Sequence, residues 1–282
     1  MLPDVKVFSR VMAGLAAGAL LASGCAGPAS SDTPSPTPTP TATPTGGPGG
    51  SATPPQAGEI RFRFETPATG GCYRDVADLF KACVRSKAPL TIPEVTLETG
   101  LDFPAFCTAE PCDRLMLEVP DAPELNPGER PFRFGAELML RPEDRSTGSN
   151  VVEKGFFDDP GGQWKLQIDG RGGRPSCVVQ GVWDGKRVTA RAYATRAVGD
   201  GRWHTVTCVR TESAVVIEVD GAEQGRADLP TGTVVNTAPV VIGAKNLQTD
   251  NDQFHGALRA VFLHVEKDGA PEPTAAVTPP GT

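Results

Sequence analysis

Three carboxylates in the spacing Glu218-x-Asp220-x-x-Glu223 are the groups in this chain best placed by type to do chemistry. Two acids on one face of a strand can divide the hydrolysis of a glycosidic bond, one as nucleophile and one as proton donor. That division needs an unbroken strand, and Asp220-Gly221 reads as a hairpin turn that ends the alternation before Glu223. The expectation is therefore surface carboxylates at a turn, and a protein that is not an enzyme. No Gly-x-Ser-x-Gly elbow and no phosphate-binding loop occur in the chain. His204, His255 and His264 have no zinc-ligand spacing with the cysteines, and no C-x-x-C is present, so each histidine is expected as an ordinary strand residue. Phe157, Trp164 and Trp183 could supply the flat apolar faces on which sugars stack. Trp164 is expected in the core, which leaves Trp183, beside Asp184-Gly185, as the expected ligand contact.

The elements that must hold these residues are strands. From 200 to 221 the chain alternates with period two: Trp203, Thr205, Thr207 and Val209 fall on one face, and His204, Val206, Cys208 and Arg210 on the other. Similar runs are predicted at Glu59–Glu65, Arg114–Val119, Pro131–Leu140, Val151–Lys154, Gln163–Ile168, Ser176–Val182, Arg187–Ala194, Ala214–Val219, Val240–Lys245 and Ala257–Val265. Asp169-Gly170, Asp184-Gly185, Asp200-Gly201 and Asp220-Gly221 punctuate them, and both residues of Asp-Gly tolerate the positive φ of tight hairpins. Val76–Val84 has helical spacing and is predicted as one short helix or turn, and Leu90–Leu97 as a short strand-like run. Many short strands and no strand-helix alternation predict an all-β, two-sheet antiparallel sandwich.

The ends of the 282-residue chain are of a different kind. Lys6 and Arg10 precede an apolar run, Val11–Ala22, which is too short for a bilayer that needs about 20 residues, and so reads as an export signal over 1–24. Small residues before Cys25 resemble the bacterial lipobox, with Leu21 four residues before the cysteine. The resemblance implies a lipidated Cys25 and a protein held at the outer face of the cytoplasmic membrane, stably so with two or more acyl chains. Residues 25–57 are almost entirely Ala, Gly, Pro, Ser and Thr, which cannot bury enough apolar surface to fold and are expected to form a disordered stalk. A folded domain is expected over 58–268 and a loose tail over 269–282. The formal charge of −7 argues against a nucleic-acid partner. Besides Cys25, six cysteines fall in the foldable region, an even number that in an exported chain points to disulfides, among 15 possible pairings. Proximity suggests Cys72–Cys83 and Cys107–Cys112.

Gly201-Arg-Trp-His-Thr-Val-Thr-Cys-Val-Arg210, Val219-Asp-Gly221, Asn236-Thr-Ala-Pro-Val-Val-Ile-Gly243 and Phe254-His-Gly256 resemble, in that order, the laminin G-like, concanavalin A-like jelly-roll family. Asn126–Gly135 and Val152–Trp164 are similar to its bacterial exported branch. The resemblance implies a jelly roll, with Trp203 buried between the sheets and Gly243 and Gly256 at close strand approaches. It also implies a binding role toward a glycan, another cell-envelope component or a protein. Jelly-roll endoglucanases share the Glu218-to-Glu223 spacing and leave hydrolysis as the remote alternative. The family often holds calcium at the sandwich rim, for which Asp158, Asp159, Asp250 and Asp252 offer hard oxygen ligands; no other cofactor is expected. Beside this fold, a cross-strand Cys177–Cys208 bridge is the expected third pair, closing a loop of about 30 residues worth about 3 kcal/mol.

Overall fold

The computed structural model describes residues 58–64, 70–87 and 100–267. Cys25, the segments 1–24, 25–57 and 269–282, and the run Leu90–Leu97 lie outside the described residues.

Fifteen strands are described: β1 (Ile60–Arg63), β2 (Cys72–Arg74), β3 (Lys81–Ser86), β4 (Leu101–Asp102), β5 (Leu115–Val119), β6 (Phe132–Met139), β7 (Gly148–Lys154) and β8 (Gln163–Asp169), followed by β9 (Arg174–Trp183), β10 (Lys186–Tyr193), β11 (Trp203–Arg210), β12 (Val215–Val219), β13 (Ala222–Ala227), β14 (Val240–Ile242) and β15 (Ala257–Val265). They form two antiparallel sheets. One runs β1-β15-β6-β11-β12-β13, with β4 on β15; the other runs β10-β9-β8-β7-β14-β5-β3-β2. Each strand turns alternate residues inward. Phe132, Phe134, Ala136 and Leu138 of β6 meet Trp164, Leu166 and Ile168 of β8, all buried. Trp164 is the large aromatic of this core, at 1% exposure, with its ring 4.8 Å from that of Phe134.

Two of the Asp-Gly pairs make two-residue hairpins. Asp184 (φ 49) and Gly185 (φ 67) join β9 to β10, and Asp220 (φ 53) and Gly221 (φ 77) join β12 to β13, the positive angles that a type I′ turn demands. Asp200-Gly201 does different work, lying on the connection from β10 in one sheet to β11 in the other. At Gly243, with φ 87, an added Cβ would come within 1.8 Å of the Phe103 ring, so this close approach requires glycine.

The segment Val76–Val84, predicted as one short helix or turn, is a turn followed by β3. The Asp75 carboxylate accepts from the backbone N–H groups of Ala77, Leu79 and Phe80 at 3.1, 2.7 and 2.6 Å, and Asp78 takes φ 58. Side-chain capture of these donors favours a turn over a helix. Cys83 then lies opposite Cys72 in the β2–β3 register, and the two form a disulfide.

Cys107–Cys112 and Cys177–Cys208 are the other disulfides. Cys177 is on β9 and Cys208 on β11, which belong to different sheets, so this bond staples the two layers of the sandwich together. It also decides the orientation of β11. With Cys208 inward, His204, Val206 and Arg210 must also point inward, and all are buried. Trp203, expected between the sheets, is therefore on the outer face. It is half-buried, with the Arg259 guanidinium 4.0 Å above its ring. The two polar residues of the inward face are held by hydrogen bonds, apart from Arg210 Nε, which is buried without a partner. Arg210 donates to the carbonyls of Gly232, Gly128 and Arg130 at 2.9, 2.8 and 2.6 Å, and burial pulls its pKa down to about 10. His204 places Nδ1 2.9 Å from Asp220 Oδ2 and Nε2 3.0 Å from Asp200 Oδ1.

Candidate functional site

The outer face of the second sheet carries a polar row across four strands. Register pairs Arg191 of β10 with Val178 of β9, Val178 with Lys165 of β8, and Lys165 with Glu153 of β7. Flanking rows hold Gln163 beside Gln180 and Gln167 beside Asn150. Alternation from Asn150 would send Glu153 to the opposite face, since the two are an odd number of residues apart. A bulge at Val151 prevents this: Val151 and Val152 both pack into the core, and the register shifts there, so Asn150 and Glu153 share the outer face.

Two loops raise walls around this floor. After β7, Phe156, Phe157 and Asp158 stand on one side; Arg187 holds that loop by donating to the carbonyls of Phe157 and Asp158 at 3.1 and 3.3 Å. After β14, Lys245, Asn246 and Asp252 stand on the other. The resulting cleft encloses about 490 Å³. Phe157 is 61% exposed and Phe156 also faces solvent, an apolar wall over a polar floor.

Glu153 is the unusual group of the floor. Its side chain is buried at 3% exposure, Oε2 lies 3.8 Å from Lys165 Nζ, and Oε1 has no hydrogen-bond partner. Burial pushes its carboxyl up to about 7 against the pull of Lys165, and the nearby Asp252 adds to the rise. Leaving a buried acceptor unpaired costs about 1–3 kcal/mol, and Asn150 Nδ2, buried on the same face, is an unpaired donor. Gln180, partner of the cleft residue Gln163, also has a buried Oε1 without a partner while its Nε2 donates to Thr189 Oγ1 at 2.7 Å.

The residues singled out in the sequence fall differently. Trp183 is 53% exposed at the β9–β10 turn and does not line the cleft; Phe157 does. Glu218 and Glu223 face each other across the β12–β13 hairpin, so the turn brings together the outer pair of the motif and removes its middle member. The Asp220 carboxylate is engaged at the turn, accepting from the Thr205 N–H at 3.0 Å and pairing with Arg196 at 2.9 Å. Burial raises the Glu218 pKa, opposed by Arg133 and reinforced by Glu223. His255 donates from Nδ1 to the Pro104 carbonyl at 2.7 Å, a packing role.

Of the four aspartates considered for calcium, Asp158 and Asp252 line the cleft and Asp250 lies beside Asp252 in its loop. Asp252 pairs with Lys245 at 3.1 Å, and Asp159 accepts from the Gly161 N–H at 2.9 Å, closing its own turn. Among the described residues no group of three or more His, Cys, Asp or Glu side chains is arranged to hold a metal ion. Asp159 thus acts as a turn former and Asp252 as a salt-bridge partner.

Sequence signals for the cleft were present but weak. Glu153 and Lys165 sit in predicted strands, yet nothing local reveals that a bulge turns Glu153 outward or that β7 and β8 are neighbours.

Residues 133–264 match the Laminin_G_3 model of the concanavalin A-like lectin/glucanases superfamily, and the two antiparallel sheets form a jelly roll of the concanavalin A-like kind. No curated protein matches the chain. Among solved structures, one described as "Cell entry of botulinum neurotoxin type C is dependent upon interaction with two ganglioside molecules" superposes with a TM-score of 0.51 at 12% identity over 76% of this chain and 49% of that one. The binding domain of botulinum neurotoxin DC in complex with SialylT gives 0.50 at 10% identity over 75% and 49%. Domains LG4-5 of the mouse laminin alpha1 chain give 0.32 at 17% identity over 58% and 39%. The chain thus spans about half the length of the neurotoxin structures it resembles.

Proposed function

We propose that this chain is a non-catalytic glycan-binding protein, displayed outside the cell on a stalk anchored through Cys25, and that the cleft on the second sheet is its binding surface. The carrying observation is a polar floor walled by exposed Phe156 and Phe157. Sugars present apolar C–H faces and hydroxyl edges together, and a cleft with an aromatic wall and convergent polar groups matches both. The sialyl and ganglioside ligands of the structurally similar neurotoxin domains support the reading by analogy of fold. The anchor rests on the apolar leader and the small residues before Cys25.

A glycan array probed with the whole chain, and with Phe157→Ala, tests the binding role. Sugar-specific signals lost in the variant support it. No signal on any glycan, with retention of surface proteins in a pull-down, favours a protein-binding module instead. Anchoring is tested by labelling cells with a fatty acid analogue: incorporation that vanishes in Cys25→Ala supports it, and label that persists rules it out.

A further inference from the structure

We infer that the binding surface is a track for the interior of a polysaccharide chain, in which a second cleft beside Phe106 receives the sugar units that extend beyond the first. The inference rests on the glycan-binding reading above and deepens it.

The second cleft lies toward the other end of β7. It encloses about 220 Å³ between the loop that carries Phe106 and Asp113, the entry to β7 at Thr147 and Gly148, and the stretch 250–252 of the loop after β14. Asp252 also lines the first cleft, so the two share a wall. Glu153 belongs to the first and Gly148 to the second; a strand that rises about 3.3 Å per residue sets them about 15 Å apart, with Asn150 between them. Both clefts are furrows open to solvent. A self-sufficient ligand pocket holds about 300–1,000 Å³, a range that the first cleft reaches and the second does not. The small cleft is therefore an extension of the large one.

An exposed phenylalanine stands in each. Phe157 is 61% exposed in the first cleft, and Phe106 is 36% exposed in the second. Phe106 is held in place: its N–H donates to Asp144 Oδ1 at 3.4 Å, and its ring packs edge-on against His255 with centroids 5.3 Å apart. The next residue is Cys107, whose bond to Cys112 closes the loop, and Glu110 within that loop pairs with the buried Arg114. A sugar chain offers apolar faces unit after unit, so two separated aromatic faces suit a ligand that spans both, where a single terminal sugar would use one. The polar groups along the track are of both kinds, with Lys165 and Arg191 as donors in the first cleft and Asp113 and Asp250 as acceptors in the second. A sugar hydroxyl both donates and accepts, and so meets either.

The shared wall is fixed before any ligand arrives. The Asp252 carbonyl accepts from the Asn150 N–H at 2.8 Å and the Asn251 carbonyl from the Lys245 N–H at 3.1 Å. Gln253 Nε2 donates to the carbonyls of Leu115 and Gly243, each at 2.9 Å. A loop pinned in this way adds little ordering cost when a chain lies across it.

The test is calorimetric titration of the whole chain with gluco-, manno-, N-acetylgluco- and galacturono-oligosaccharides of two to eight units. In the series that binds, affinity is expected to rise about tenfold from the shortest binding member to the longer ones, the scale of one added aromatic contact, and then to level off. Phe106→Ala removes that rise and leaves the shortest binding member within about twofold, whereas Phe106→Tyr, which keeps the ring, keeps the rise. Phe157→Ala weakens every length alike. Affinity that is flat from the shortest binding member onward, a rise that survives Phe106→Ala, or equal weakening of short and long members by Phe106→Ala overturns the second subsite while leaving the glycan-binding function standing. No binding by any member of any series overturns both. A thermal melt of each variant separates loss of contact from loss of fold, and the length series of the parent stands without either variant.

Discussion

Lys165 Nζ stands 3.8 Å from Glu153 Oε2 across neighbouring strands, while the other oxygen of the same carboxyl is buried with no partner. Half of the carboxyl is tied to the scaffold and half is left unpaired. Such a group costs stability where an ordinary surface acid would not, and that cost is measurable.

A carboxyl whose folded pKa is raised holds its proton more tightly in the folded state. Its contribution is most favourable at low pH and is lost as pH rises from the unfolded value of 4.5 to the folded value of about 7. Glu153→Gln removes the titration. Chemical denaturation at pH 8 is expected to find the variant more stable than the parent by on the order of 1–3 kcal/mol, and nearly equal at pH 4.5. Equal stability at both pH values would contradict the burial of this charge.

The His204 clamp has the opposite sign. Burial, the largest single influence, would raise Asp220 and Asp200, but the hydrogen bonds from His204, the backbone N–H groups of Thr205 and Arg202 and the neighbouring positive charges together outweigh it, and both pKa values fall below 3.8. Stability from these pairs is present above about pH 4 and is lost as pH falls through the lowered values. Asp220→Asn is expected to lower stability at pH 7 by roughly 1–2 kcal/mol and to shrink the acid-induced loss below pH 4. Melting curves from pH 2.5 to 7 measure both.

Phe157 is wall and not core. Phe157→Ala is expected to leave the melting temperature within about 2 °C and to weaken glycan binding about tenfold, the scale of one aromatic contact. A large loss of stability would place the ring in the scaffold.

The two tryptophans of strands β8 and β11 differ by face. Trp164→Ala is expected to cost about 3–5 kcal/mol by opening a cavity beside Phe134, whereas Trp203→Ala, on the outer face under Arg259, costs about 1–2 kcal/mol. Urea titration of the two variants orders them.

Removing the inter-sheet bond by Cys177→Ala with Cys208→Ala is expected to lower stability by about 3 kcal/mol, since it closes a long loop between layers. Removing Cys107–Cys112, with a sequence separation of 5, is expected to cost clearly less. Equal losses would show that loop length is not the source of the effect.

The strands and most turns were legible because their signals are local. Period-two alternation marks β6, β8 and β11, and Asp-Gly marks the hairpins at 184–185 and 220–221. Local signals left helix and turn undecided where a side chain competes with the backbone, as Asp75 does at the turn before β3, and failed where strand order mattered. β13 went unpredicted because Ala222-Glu-Gln-Gly-Arg-Ala227 is polar and lies at a sheet edge, with little hydrophobic pattern to read. Trp203 was assigned to the wrong face because alternation defines two faces without saying which is inward.

By itself, then, the sequence determined an all-β sandwich, its hairpin turns and the residue classes available for binding, since alternation and turn propensity act within a few residues. The tertiary structure alone decided which face of β11 enters the core, through the bond from Cys208 to the opposite sheet. It also decided that Glu153, Lys165 and Arg191 share one floor. That floor depends on a bulge at Val151 and on strand neighbours chosen by packing, and neither leaves a period in the chain.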